Sequence, residues 1–140
     1  MASQDIDIDA FGRECADWLA HHKPERPDFR LPETFMEVST QAQFDFLRDW
    51  QRKVAEAGYL GVSWPVEFGG RGLSQEHQKA VDSEMRRQRV PIIMNTTGLN
   101  WAGPLILDIG SAEQKERFAT RLLTGEDIWC QGFSEPGAGS

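Results

Sequence analysis

Pro24, Pro27 and Pro32 exclude a continuous helix between Lys23 and Thr34, and Gly61, Pro65, Gly69, Gly70 and Gly72 do the same between Tyr59 and Leu73. Long regular elements fit only between these breaks, and there the apolar period is that of a helix. From about Asp9 to His22, the residues Phe11, Cys15, Trp18 and Leu19 fall at i, i+4, i+7 and i+8 on one face, with Asp7 or Asp9 as N-cap. His21 and His22 place positive character at the frayed end of that helix, where the dipole favours it. Thr40 and Gln43 make a T-x-x-Q capping box that opens a helix over 41–57, buried along Phe44, Leu47, Val54 and Ala57, with Gly58 just past its end. Ser74 can cap a third helix over 75–89. Pro91 suits the first turn of a fourth over 92–109, which Gly103-Pro104 interrupts. Ser111 and Gln114 form a second capping box ahead of a fifth helix over 112–124, and Gly125 ends it. In the irregular Tyr59–Leu73 stretch, Trp64 and Phe68 read as plugs for the core.

The chain is long enough for a real core, burying about 68% of its unfolded surface. A net charge of −7 argues against a nucleic-acid or anionic-membrane surface. No apolar run approaches the roughly 20 residues that span a bilayer. The acidic N-terminus is unlike a secretory or transit peptide, so a cytoplasmic protein is expected. Cys15 and Cys130 have no C-x-x-C spacing and read as free thiols in a reducing compartment. The three histidines make no metal-binding pair, and no metal is expected. Arg86, Arg87 and Arg89 could attract an acidic partner or a CoA phosphate, but their place at a helix C-terminus already explains them.

The pattern changes at the end. Ile128 to Phe133 is short, apolar and aromatic, and reads as a strand. After it, Pro136 fixes its own φ, while Gly137 and Gly139 permit positive φ and leave backbone bare for a ligand. Ser134 and Ser140 bracket this turn with hydroxyls able to donate to a carbonyl, a ring nitrogen or a phosphate oxygen. An ordinary surface turn is the alternative reading.

The run Trp129-Cys-Gln-Gly-Phe-Ser-Glu-Pro-Gly-Ala-Gly-Ser140 resembles the flavin-binding strand and turn of the acyl-CoA dehydrogenases. The resemblance extends back through Gly125-Glu126, Gly110-Ser-Ala-Glu-Gln-Lys-Glu-Arg-Phe118, Gly103-Pro104, Glu67-Phe-Gly-Gly-Arg-Gly-Leu73 and Trp64-Pro65. It covers most of the chain beyond about Val54. Phe133 stands where an aliphatic residue is more usual and Thr120 where proline often occurs, and the chain ends one residue before the family's expected Asp. The resemblance implies an all-α N-terminal domain over 1–125, then, over 126–140, the first strand and FAD-binding turn of a truncated β-barrel domain.

It also implies α,β-dehydrogenation of an acyl-CoA thioester with hydride transfer to FAD, which an electron-transferring flavoprotein reoxidises. By the family pattern, Gln131, Phe133 and Ser134 meet the flavin ring, and Ser140 reaches the FAD pyrophosphate and lies near the CoA part of the substrate. Ile92, Ile93, Thr96 and Asn100 fall near the acyl tail. The family's catalytic glutamate comes from a C-terminal domain, so no residue of this chain is assigned as catalytic. Glu135, inside a turn, reads as a backbone acceptor. The 140 residues alone are therefore expected to be inactive, and the full-length form to be a homo-oligomer. A non-catalytic helical partner or scaffold of the same ancestry, and an acyl-CoA oxidase, are the competing readings.

Overall fold

The computed structural model describes residues 6–139, and among them the regular elements are all helical. They are α1 (Ile8–His22), α2 (Gln41–Glu56), α3 (Gln75–Arg87), a π-helical turn (Gly98–Ala102), α4 (Gly103–Ile109) and α5 (Ala112–Thr124), with short 3-10 turns at Phe35–Glu37 and Val66–Phe68. α1 lies against α3, and α2 against α5, which also meets α4. Between them sits one core, built from Phe11, Cys15 and Leu19 of α1, Trp50 and Val54 of α2, Val81 of α3, and Ala119, Leu122 and Leu123 of α5. Tyr59, Leu60, Val62 and Trp64 enter the same core from the α2–α3 connection, so this Gly/Pro-rich segment is packed in place despite having little regular structure.

The helix ends follow the local chemistry. Asp7 accepts the backbone N–H of Ala10 at 2.8 Å, and both capping boxes, Thr40/Gln43 and Ser111/Gln114, are formed. α3 has a third box that its sequence disguises. His77 Nε2–H donates to the Ile6 carbonyl at 2.7 Å, so Nδ1 is the acceptor for the Ser74 hydroxyl, also at 2.7 Å. α2 and α3 both end in Schellman geometry. For α2, Gly58 and Tyr59 donate back to Ala55 and Val54; for α3, Arg89 and Val90 donate to Arg86 and Met85. The position that is glycine in α2 is Arg89 in α3, held at a φ of 51°.

Two expectations are corrected. A single helix over 92–109 does not form: 91–95 is non-helical, helix begins at Thr96, and it widens into the π turn before α4. Asn95 is held out of the ladder because its side chain and backbone N–H are bonded to other elements. Pro104 has no N–H and its ring crowds the carbonyl one turn back, and the wide turn, closed by Gly103 N–H donating to the Gly98 carbonyl, relieves that conflict. The second correction concerns Ile128–Phe133, which forms no strand. A strand exists through pairing with a neighbour, and the described residues offer it none.

Candidate functional site

Two adjoining clefts, each of about 340 Å³, open along one side of α3. The inner one is walled by Leu60 and Trp64 from the α2–α3 connection, by the α3 residues Gln75, Gln78 and Asp82, and by Ile93, Thr96, Leu99 and Asn100. The outer one runs past Phe35, Met85, Arg86, Arg89 and Ile92. Asp82, Ile93 and Thr96 line both, so the two form one channel. The four residues expected near an acyl tail, Ile92, Ile93, Thr96 and Asn100, thus stand together on its wall. The loss of helix at 91–95 keeps Ile92 and Ile93 there, on an extended segment anchored where the Trp50 indole N–H donates to the Pro91 carbonyl at 2.9 Å.

The wall opposite is polar and pre-organised. The Gln78 side-chain oxygen accepts the Val62 N–H at 2.9 Å, and its amide donates to Asp82 at 3.0 Å. Gln75 donates to the Ser63 hydroxyl at 3.0 Å. Both glutamines face the cleft from α3 because they lie three residues apart, on one helix face.

The residues expected at a flavin ring lie elsewhere, on the segment beyond α5. Gln131, Phe133 and Ser134 are exposed, and Phe133 is 81% accessible. From Cys130 to Ser134 the backbone makes no hydrogen bond to the described residues. The chain then closes a tight turn in which Glu135 and Ala138 exchange both backbone hydrogen bonds at 3.0 Å. Pro136 and Gly137, the latter at a φ of 83°, fill the two central positions that a type II turn assigns to them. Ser134 Oγ lies against the backbone of Gly139, where a β-carbon would come within 2.8 Å. Ser140 lies outside the described residues.

What aims this segment is a buried amide pair that sequence reasoning passed over. Gln51 and Asn95 are both fully buried. Gln51 donates to the Leu122 and Leu123 carbonyls, at 2.9 and 3.0 Å, satisfying the last turn of α5. Asn95 donates to the Leu122 and Asp127 carbonyls, both at 2.9 Å, and accepts the Trp129 N–H at 3.0 Å. The only signal in the sequence is an asparagine within the most apolar stretch, and its partners lie far along the chain. Arg121 adds an outer clamp, donating to both carboxylate oxygens of Asp127 at 2.8 and 2.9 Å. Its guanidinium holds the Asp127 carboxyl below the usual carboxylate range.

The remaining charged and reactive groups are explained locally. Arg87 pairs with Glu84, and Arg71 sits over the Phe11 ring at 4.8 Å and 3.8 Å from Glu14. Burial, reinforced by Glu84, Glu14 and Asp82, pushes the Cys15 thiol up to about 12, so it is an inert core group. Among the described residues there is no group of three or more His, Cys, Asp or Glu placed to hold a metal, and no helix long and apolar enough to cross a membrane.

Residues 30–126 match the family described as acyl-CoA dehydrogenase, N-terminal domain. The chain is 36% identical to the acyl-CoA dehydrogenase IpdE1 of Mycolicibacterium smegmatis over 136 residues, which are 96% of this chain and 34% of that protein. Its fold matches a variant of the Tcur3481-Tcur3483 steroid ACAD, with a TM-score of 0.71 at 26% identity over 94% of this chain and 33% of the other. It also matches the ChsE4-ChsE5 complex from Mycobacterium tuberculosis, with a TM-score of 0.67 at 27% identity over 99% of this chain and 33% of the other. The chain spans about a third of the length of these relatives.

Proposed function

Because the chain belongs to the acyl-CoA dehydrogenase family, through its N-terminal domain, we propose that it forms the helical part of an FAD-dependent enzyme that oxidises an acyl-CoA thioester between its α and β carbons. The observation that carries this reading is the gathering of Ile92, Ile93, Thr96 and Asn100 on one channel wall. The channel receives the acyl group, and Trp64, Ile93 and Leu99 shield it from water.

The donor set beyond α5 fits a flavin. Cys130 to Ser134 offers backbone N–H and C=O groups with no partner among the described residues, Ser134 adds a hydroxyl, and no described atom lies within 4 Å of a β-carbon built at Gly137. When bound, FAD supplies the hydride-accepting chemistry. Gln131, Phe133 and Ser134 would hold its ring, and Ser140 its pyrophosphate and the neighbouring CoA portion. Residues 126–140 would then begin a β-domain, after a helical domain of residues 1–125. No residue of this chain is assigned as the base that removes the α-proton. Glu135 is engaged through its backbone in the turn, stands exposed and is not among the channel-lining residues.

An electron-transferring flavoprotein would reoxidise the cofactor, in a cytoplasmic setting that suits two unpaired thiols. One solved relative is a complex of ChsE4 with ChsE5 and another carries the paired name Tcur3481-Tcur3483, which supports an oligomeric form, whether of like or unlike chains. The test is anaerobic titration of the holoenzyme containing this domain with acyl-CoA thioesters. Bleaching of the flavin absorbance is expected, with slow reoxidation by oxygen. Rapid reoxidation by oxygen would favour an oxidase, and no bleaching with any thioester would favour a non-catalytic partner domain.

A further inference from the structure

The two groups that Asn95 takes beyond α5 flank a single residue. Its Nδ2–H donates to the Asp127 carbonyl at 2.9 Å and its Oδ1 accepts the Trp129 N–H at 3.0 Å, so one amide spans Ile128. A residue of a parallel neighbouring strand spans its partner in the same way, and here a side chain stands in for the neighbour's backbone. Asn95 has no freedom to turn away. It is fully buried, its backbone N–H meets Gln51 Oε1 at 3.3 Å, and its second amide proton goes to the Leu122 carbonyl at 2.9 Å. The Trp129 ring meets Phe118 edge-on at 5.3 Å, and the Asp127 N–H donates to the Arg121 carbonyl at 3.1 Å. Trp129 is thus the last tethered residue before Cys130 to Ser134, whose backbone makes no hydrogen bond to the described residues.

In an extended chain the backbone groups of successive residues leave by opposite edges. Asp127 and Trp129 present one edge to Asn95, and the same edge, continued in extended form, carries the backbone groups of Gln131 and Phe133. A slip of one residue would bring Cys130 and Gly132 there instead. Resting on the flavoenzyme reading, we propose that Asn95 is a positioning residue: its amide takes the place of a neighbouring strand and sets the register in which residues 131–134 meet the flavin.

The test uses the FAD-loaded holoenzyme containing this domain and two variants, Asn95→Ala and Gly98→Ala. The first removes both bonds. The second keeps the amide but crowds it, because a β-carbon at position 98 would lie 2.5 Å from Asn95 Oδ1. Leu19→Ala, which opens a cavity in the core on α1, controls for lost stability alone. Asn95→Ala is expected to weaken FAD roughly tenfold, as for the loss of one or two hydrogen bonds. It should also shift the long-wavelength flavin band and lower kcat for an acyl-CoA by about tenfold to a hundredfold, with KM little altered. Gly98→Ala should show the same changes at smaller size, and it decides the matter where Asn95→Ala does not fold. Leu19→Ala should leave the band and kcat unmoved. Folded variants at 95 and 98 that match the unaltered enzyme, or a Leu19→Ala that reproduces their losses, overturn the proposal and leave the flavoenzyme reading intact. Failure of both variants to fold also overturns it, by assigning the amide to the fold alone. An unaltered protein that binds no FAD overturns both readings.

Discussion

Trp129 donates its backbone N–H to the buried side-chain oxygen of Asn95 at 3.0 Å, and Asn95 sits between two channel-lining residues, Ile93 and Thr96. One amide thereby ties the wall of the channel to the point where the chain leaves α5 for its exposed end. Its two amide protons take the Leu122 and Asp127 carbonyls, so both donors and the oxygen are engaged. Gly98 exists in its present form because of this amide: a β-carbon there would lie 2.5 Å from Asn95 Oδ1 and 2.7 Å from Nδ2.

Asn95 and Gly98 should therefore couple. Asn95→Ala strands the Asp127 carbonyl and the Trp129 N–H, leaves the Leu122 carbonyl to Gln51 alone, and is expected to cost about 3 kcal/mol. Gly98→Ala overpacks the amide, at about 1–3 kcal/mol. In the double variant the new methyl has the space the amide vacated, so the combined loss should fall short of the sum by at least about 1 kcal/mol. Urea denaturation of the four proteins measures this, and additive losses would show that Gly98 is small for another reason.

Arg89 occupies the left-handed position that Gly58 fills at the end of α2, with a φ of 51°. A side chain there costs about 1–2 kcal/mol that glycine does not incur, partly offset by the greater freedom of glycine in the unfolded chain. Arg89→Gly should accordingly stabilise the fold by about 1 kcal/mol, raising Tm by roughly 4 °C for a domain of this size. Arg89→Ala, which keeps the β-carbon, should bring no such gain. Equal melting of all three proteins would mean that the left-handed position imposes no net cost on a side chain here.

The helices were legible because their ends carry side chains with one local job, as Thr40/Gln43, Ser111/Gln114 and Gly58 do. His77 was not legible as a capping partner, because a histidine acceptor depends on its other nitrogen being engaged by Ile6, 71 residues away in sequence. The four channel residues were placed by family resemblance alone, and the fold brings them together despite a different local structure at 91–95. The polar wall of Gln78 and Asp82 was not foreseen, since the Val62 N–H that orients Gln78 lies 16 residues away, outside the helix. Asn95 was visible as a polar residue among apolar ones, but its partners lie on α5 and beyond, and no spacing rule connects them.

Arg121 lowers the Asp127 carboxyl below its ordinary value of 3.8, chiefly through their hydrogen bonds. A carboxyl depressed in the folded state contributes stability that is complete above its unfolded pKa and lost as pH falls through the folded one. Arg121→Gln should thus lower Tm by a constant amount from about pH 5 to pH 7, and the difference should fade as pH falls below the ordinary carboxyl value of 3.8. Exposure of the pair keeps the effect small. A difference that persists undiminished at low pH would assign Arg121's contribution to packing instead of charge.

The proposed cofactor contact at Ser140 can be tested apart from the fold, by reading flavin retention and melting separately. By the family pattern its hydroxyl meets a pyrophosphate oxygen, a hydrogen bond to a charged acceptor. In the holoenzyme Ser140→Ala should therefore weaken FAD by about 1.5–3 kcal/mol, roughly tenfold to 150-fold in Kd. Ser134→Ala removes a contact to the neutral ring and should cost less, about 0.5–1.5 kcal/mol. Flavin retained after dialysis, read by absorbance and referenced to protein, gives both values, and Tm of the flavin-free proteins should be unchanged. If neither variant releases FAD more readily than the unaltered protein, the turn at Pro136–Gly137 is an ordinary surface turn and the flavin is held elsewhere.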